Sequence, residues 1–262
     1  MSYTFYKYHG TGNDFILIED RDRQFDTENV KMIRTWCHRR FGIGADGLIL
    51  LRPDEETDFE MVYFNSDGRQ SSMCGNGGRC IVAFAHRQGW IGRQATFRAI
   101  DGLHEAEVLE NGEIRLRMVD VSDIELGDHY YVLDTGSPHY VTFKPLAQDG
   151  DLVAQAQAIR YDPEYRDEGI NVNFVEVIEK GVIQVRTYER GVEAETYSCG
   201  TGVVAAAIST FLSGMHDEAK QFNINTKGGT LEVSFTTEEE SRFTDVWLTG
   251  PAVFVYQGQI TA

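Results

Sequence analysis

The chain has 262 residues, 42% of them hydrophobic, which is enough for two cores of ordinary size. Its 24 Lys and Arg stand against 41 Asp and Glu, for a formal charge of −17, and no basic run appears; nucleic acid is therefore not an expected partner. The opening residues Met1–Lys7 carry no apolar signal core and no stretch approaches the length of a membrane span, so a cytoplasmic chain with no membrane partner is expected.

In chain order, Thr4–Lys7 and Phe15–Glu19 read as strands around a tight turn, His9–Asp14, whose two glycines flank Thr11. Thr27–Arg39 reads as a helix with Thr27 as its N-cap. The glycine-rich run Phe41–Gly47 has neither the GxGxxG spacing nor the P-loop lysine, which sets nucleotide binding aside. Strands follow at Leu48–Leu51 and Phe59–Phe64, then a turn at Asn65–Gly68 and a helix from Cys74 to about Gly89. Thr96–Ile100, Glu105–Leu109 and Ile114–Met118 complete a strand-rich first half. The acidic segment Asp120–Asp128 marks a boundary. Beyond it come a strand at Tyr131–Leu133, a turn at Thr135–His139, a strand at Tyr140–Phe143, a helix at Leu146–Ile159 and a loop at Asp162–Gly169. Strands at Val172–Ile178 and Gln184–Glu189 lead to a second cysteine-headed helix ending near Gly214. Strands at Phe222–Thr226, Thr230–Phe235 and Thr244–Thr249 follow, and Val253–Ile260 is a last strand expected to return to the first half.

Two stretches organise this order. Cys74-Gly75-Asn76-Gly77 and Cys199-Gly200-Thr201-Gly202 each precede a run apolar enough for a buried helix, Ile81–Ala85 and Val203–Ile208. A cysteine there meets unpaired N–H groups and the positive end of a helix dipole, which favour a thiolate. The cysteines are 199 − 74 = 125 residues apart. The same offset aligns Tyr63 with Tyr188, Phe15 with Tyr140, Phe97 with Phe222, and Glu107-Val108 with Glu232-Val233. This is an internal duplication. The expected fold is mixed α/β: two pseudo-symmetric halves, each a strongly curved sheet wrapped around a central helix. Residues 1–119 with 252–262 form the half carrying Cys74, and residues 120–251 the half carrying Cys199. The four cysteines show no metal-ligand spacing and no Cys-x-x-Cys, so no metal site is expected, the cysteines are expected as thiols, and thiol oxidoreduction is a side reaction at most. Free cysteines are usually packing residues, the reading given to Cys37 and Cys80; the repeat and the Gly-x-Gly context single out Cys74 and Cys199 as reactive.

Seven motifs in order, His9–Phe15, Phe64–Gly68, Cys74–Cys80, Ser137–His139, Asn171–Phe174, Tyr188–Gly191 and Cys199–Gly202, make the chain resemble the diaminopimelate epimerases, cofactor-independent amino-acid epimerases, over almost its whole length. The resemblance implies that Cys74 and Cys199 are the two catalytic bases, with Cys199 the acceptor and Cys74 the donor in the LL-to-meso direction. It implies that Gly75, Asn76, Gly200 and Thr201 donate to the substrate α-carboxylate. Asn13, Asn65, Asn171, Glu189 and Arg190 are implied to bind substrate, and His139 and Glu189 to assist catalysis. Many members have Asn at the position of Ser137 and some have Gln at that of Gly47, departures that bear on the far end of the substrate.

Inverting an α-carbon takes a base on one face and an acid on the other, and a thiolate/thiol pair titrates near working pH. The expected activity is epimerisation of LL-2,6-diaminopimelate to the meso isomer, for lysine and peptidoglycan synthesis, with no cofactor and a small amino acid as the partner; a homodimer is left open. The alternatives are a related racemase acting on proline, hydroxyproline or histidine, and a non-catalytic binding relative. Retention of both cysteines weighs against the latter.

Overall fold

The computed structural model describes residues 2–146, 152–215, 219–239 and 241–261. The chain divides into two compact units, residues 1–116 with 250–262, and residues 117–249.

The first unit is built from β1 (Ser2–Gly10), β2 (Asn13–Glu19), α1 (Val30–Cys37), β3 (Gly47–Arg52), β4 (Phe59–Asn65), β5 (Gln70–Ser71), α2 (Gly75–Arg87), β6 (Gln94–Ala99), β7 (Gly102–Val108) and β8 (Ile114–Arg117). The second continues with β9 (Glu125–Leu126), β10 (Tyr130–Asp134), β11 (Pro138–Phe143), α3 (Leu152–Arg160), β12 (Asn171–Glu179), β13 (Val182–Glu189), β14 (Ala194–Glu195), α4 (Gly200–Leu212), β15 (Gln221–Thr226), β16 (Gly229–Glu239) and β17 (Arg242–Gly250). The last strand, β18 (Val253–Thr261), pairs antiparallel with β1.

The duplication is written into the pairing. β1–β2 is antiparallel, β2–β3 parallel, β3–β4 antiparallel, β4–β6 parallel and β6–β7 antiparallel. The second unit repeats this with β10–β11, β11–β12, β12–β13, β13–β15 and β15–β16. In the parallel pair even the register is kept, Phe15 facing Gly47 in one unit and Tyr140 facing Val172 in the other. The helices Gly75–Arg87 and Gly200–Leu212 start and stop at the same offset of 125.

Each helix is central to its own unit. α2 contacts β1, β2, β3, β7 and β18; α4 contacts β10, β11, β12, β13, β15 and β16. Composition explains why. Val203–Ile208 is apolar on every face and fully buried, so α4 has no side left for water. The strands beside each helix are near-continuous apolar runs. Phe15–Ile18 and Leu48–Leu51 are almost wholly buried, as a parallel pair covered on both faces requires. On the outer side of the first unit α1 lays Ile33 and Trp36 against Ile16, Ile18, Leu48 and Leu50.

Three local expectations need correction. α1 begins at Val30, not Thr27, because Asn29 is the cap: its side chain accepts from the Met32 N–H at 3.1 Å. Pro138 and His139 belong to strand β11 rather than to the preceding turn; the parallel pairing of His139 with Asn171 draws them into the sheet. The helix expected over Leu146–Ile159 is Leu152–Arg160, with Leu146 outside it; residues 147–151 lie outside the described residues.

Candidate active site

Cys74 is the N-cap residue of α2 and Cys199 that of α4, both with extended backbone. The helical ladders begin with Gly78 N–H to the Cys74 carbonyl at 2.8 Å and Val203 N–H to the Cys199 carbonyl at 3.0 Å. The N–H groups of Gly75, Asn76, Gly200 and Thr201 therefore take no part in the ladder, and each helix start is a concentration of donors and positive dipole. Packing bears on the glycines unequally. A Cβ on Gly77 would lie 3.3 Å from Cys74 Sγ; one on Gly202 would lie 2.5 Å from Asn173 Oδ1.

In the first unit the sulfur of Cys74 accepts from the Gly77 N–H at 3.2 Å and lies 3.9 Å from Asn13 Oδ1. That amide is oriented from both ends. Asn13 Nδ2 donates to Asp46 Oδ2 at 2.7 Å, and Asn13 Oδ1 accepts from Asn76 Nδ2 at 3.2 Å. Asn76 is set in turn by Arg79, a wholly buried guanidinium that donates to Asn76 Oδ1 at 2.9 Å, to the Gly75 carbonyl at 3.1 Å and to Thr11 Oγ1 at 3.3 Å. Burial lowers the Arg79 pKa to about 10, so it stays charged at neutral pH. Asn13, Asn76 and Cys74 are thus one cluster. Asn65 stands apart from it, exposed at the end of β4, where its N–H bonds the Arg69 carbonyl.

Beside Asn13 lies a charged group that sequence reasoning missed. Asp14 pairs with Lys7 at 2.7 Å and accepts two hydrogen bonds from Arg39, which also reaches Asp46 at 2.6 Å. Burial pushes the Asp14 carboxyl upward, but the hydrogen bonds from Arg39 and Lys7 outweigh it and hold the group well below the usual carboxylate range. A signal was present: the offset of 125 lays Asp14 over His139 and Asp46 over Asn171, both singled out in the other half.

In the second unit Cys199 Sγ is 3.4 Å from Thr201 Oγ1, which is 2.9 Å from His139 Nε2. The other ring nitrogen, Nδ1, is 2.9 Å from Asn173 Nδ2. His139 is fully buried, and burial, reinforced by the Arg190 charge, lowers its pKa to about 3. It is therefore a neutral imidazole at neutral pH. Asn171, Ser137 and Arg190 form a second cluster. Asn171 Nδ2 donates to Ser137 Oγ at 2.9 Å, Asn171 Oδ1 accepts the Arg190 N–H at 3.0 Å, and the Arg190 guanidinium reaches Ser137 Oγ at 3.3 Å. The guanidinium also donates to the carbonyls of Glu168 and Gly169, so these partners are all neutral groups. Glu189, half-buried at the end of β13, accepts from Thr196 Oγ1 at 2.5 Å.

The other two cysteines differ in kind. Cys37 and Cys80 are buried, and burial pushes the Cys37 thiol up to about 12 and the Cys80 thiol higher still, which suits packing and not acid–base work. Among the described residues no group of His, Cys, Asp and Glu could hold a metal ion.

The family model described as diaminopimelate epimerase covers residues 5–123 and 131–255. The diaminopimelate epimerase of Flavobacterium psychrophilum is 51% identical over 97% of this chain and 99% of its own length. That of Chlorobaculum tepidum is 41% identical over 96% and 99%. The chain belongs to the diaminopimelate epimerase family. Among solved structures, a phenazine biosynthesis protein of the PhzF family from Bacillus anthracis superposes with a TM-score of 0.76 over 100% of both chains at 14% identity. A hydroxyproline epimerase from Agrobacterium vitis, with trans-4-hydroxy-L-proline bound, superposes with a TM-score of 0.72 over 99% of this chain and 92% of its own at 14% identity. At that identity these two share the duplicated fold alone. Like its family relatives this diaminopimelate epimerase family member is an isomerase by descent, and no helix among its described residues is long and apolar enough to cross a membrane.

Proposed function

We infer that the chain epimerises LL-2,6-diaminopimelate to meso-diaminopimelate by a two-thiol mechanism without a cofactor. The observation that carries this reading is that Cys74 and Cys199 cap equivalent helices, 125 residues apart, in a chain of this family. In the LL-to-meso direction the Cys199 thiolate takes the α-proton and becomes a thiol, while the Cys74 thiol gives its proton to the opposite face and becomes the thiolate. The reverse reaction exchanges the roles, so the pair titrates as a unit.

Negative charge builds next to the α-carboxylate as the proton leaves. The N–H groups of Gly75, Asn76, Gly200 and Thr201, with two helix dipoles behind them, are the donors assigned to that carboxylate. Asn13, held by Asp46 and Asn76, and Asn65 are assigned to substrate binding. The substrate's second amino-acid head is given to Arg190, whose guanidinium can take a carboxylate bidentately, to Glu189, which can accept from an ammonium, and to Asn171. A reaction that depends on two reduced thiols suits a reducing compartment, and we place it in the cytoplasm.

The test is α-proton exchange in D2O with LL-diaminopimelate and a panel of proline, hydroxyproline and histidine. Diaminopimelate should exchange and yield the meso isomer. Cys74→Ser and Cys199→Ser should each lower turnover by about 10²–10⁴ while circular dichroism stays unchanged, because Ser is also a good N-cap. Exchange confined to another amino acid, or full turnover in both variants, overturns the reading.

A further inference from the structure

The hydrogen bonds that lead from the interior of the second unit to Cys199 have directions that chemistry fixes. The Tyr140 carbonyl can only accept, so the Asn173 atom 3.3 Å from it is the amide nitrogen. The amide oxygen then accepts from Thr187 Oγ1 at 2.9 Å. The second N–H of the same Asn173 nitrogen points at His139 Nδ1, 2.9 Å away. An amide nitrogen only donates, so Nδ1 is an acceptor and carries no proton. A neutral imidazole must then hold its proton on Nε2, which donates to Thr201 Oγ1 at 2.9 Å. That oxygen accepts from Nε2–H and keeps its own proton, and a Cys199 thiolate, which can only accept, receives its hydrogen bond across the 3.4 Å to Sγ.

We propose that Asn173 is a positioning residue for the reaction: by fixing the tautomer of His139 it turns the Thr201 hydroxyl toward Cys199 and favours the thiolate there. The proposal rests on Cys199 being a base in the proposed reaction. Asn173 and His139 are both fully buried, so water does not compete for these bonds. The Arg190 charge, at the end of β13, opposes a second proton on the ring and adds to burial in keeping the imidazole neutral. The equivalent sulfur in the first unit accepts from the Gly77 backbone N–H and has a different side-chain neighbour. Cys74 faces Asn13 Oδ1, an acceptor whose orientation Asp46 and Asn76 fix, and position 48, equivalent to Asn173, is a leucine. Asn173 therefore belongs to an asymmetry between the two thiols that the shared Cys-Gly-x-Gly motif does not reveal.

The first measurement is the tautomer of His139 in the whole protein, from 15N shifts with His139→Gln as the assignment control. A protonated Nε2 is expected; a protonated Nδ1 overturns the proposal. The second is the pH midpoint of iodoacetamide alkylation at Cys199, read by mass spectrometry with Cys74 in the same molecule as the reference. In Asn173→Asp the carboxylate accepts from Nδ1–H, the ring changes tautomer, and Nε2 draws the Thr201 hydroxyl away from the sulfur. The Cys199 midpoint should rise by about one pH unit, more than that of Cys74, and kcat should fall more than KM changes. Thr201→Val should raise the same midpoint without touching the tautomer, and Thr201→Ser should restore it. Midpoints unmoved in both Asn173→Asp and Thr201→Val, in an enzyme that still epimerises, remove the hydrogen-bond chain and leave the reaction. The expected shifts in a protein that exchanges no α-proton support the chain and remove the reaction.

Discussion

The imidazole of His139 shows how far a single residue's surroundings decide its use. In the unfolded chain it takes a proton near its ordinary value of 6.5, whereas in the fold burial delays this to about 3. Between those values the unfolded state binds one more proton than the native state, so stability rises with pH and is lost as pH falls from about 6.5 toward 3. The slope is about 1.4 kcal/mol per pH unit, for a total on the order of 5 kcal/mol. Urea unfolding at pH 6.5, 5.5 and 4.5 should show this loss in the wild type, and His139→Gln should lose about 1.4 kcal/mol less per unit over the same range. Equal slopes in the two proteins mean that the ring is protonated in the fold. The sequence marked His139 by its neighbours Ser137 and Pro138, but not its burial or its partner Asn173. Those depend on the parallel pairing of β11 with β12, a contact between residues that lie apart in the chain.

At the scale of elements, the two cysteine-headed helices were the most legible part of the chain. Periodicity, the Gly-x-Gly and a common offset all point to them, and Gly75–Arg87 and Gly200–Leu212 start where the cysteines end. Less legible were contacts made by residues that look ordinary in sequence. Thr27 and Asn29 are both good caps, and only the geometry of the turn decides for Asn29. Lys7, Asp14, Arg39 and Asp46 come from four segments and meet only in the fold. The glycines of the motif are also unequal. A Cβ on Gly77 would meet Ile49 Cδ1, a flexible methyl, at 3.2 Å, whereas one on Gly202 would meet Asn173 Oδ1 at 2.5 Å and His139 Cε1 at 3.3 Å. Gly202→Ala should therefore cost about 1–3 kcal/mol by overpacking, against a smaller loss for Gly77→Ala, and it should shift the His139 ring resonances. Thermal unfolding of the two variants side by side checks this; a larger loss for Gly77→Ala contradicts it.

For the whole molecule, the duplication explains the repeated order of strands but not how the first unit is closed. Its first strand is held by its last. Val253–Thr261 pairs along Ser2–Gly10, Phe254 packs on Tyr8 with ring centroids 5.5 Å apart, and Arg87 from α2 stacks over Phe254 at 3.8 Å. The Pro251 carbonyl also accepts from Arg79 Nε at 3.5 Å, so the C-terminal segment shares in holding the buried guanidinium that orients Asn76. A chain ended after Thr249 would lose these contacts and leave the β1 edge unpaired on that side, while every pairing of β10 through β16 named above is retained. Amide hydrogen exchange on the truncated chain should show protection lost in Ser2–Gly10 and in Gly75–Arg87, with Gly200–Leu212 still protected. With Cys74 in the catalytic role proposed above, epimerase activity should vanish with the first unit, because Cys74 loses its cap geometry although no residue near it has been changed. If α4 loses protection together with α2, the two units unfold as one cooperative block and closure by β18 is not local to the first. If both helices stay protected, the β1–β18 pairing contributes little, and unit 1 is held by the buried faces of β2, β3 and α2 alone.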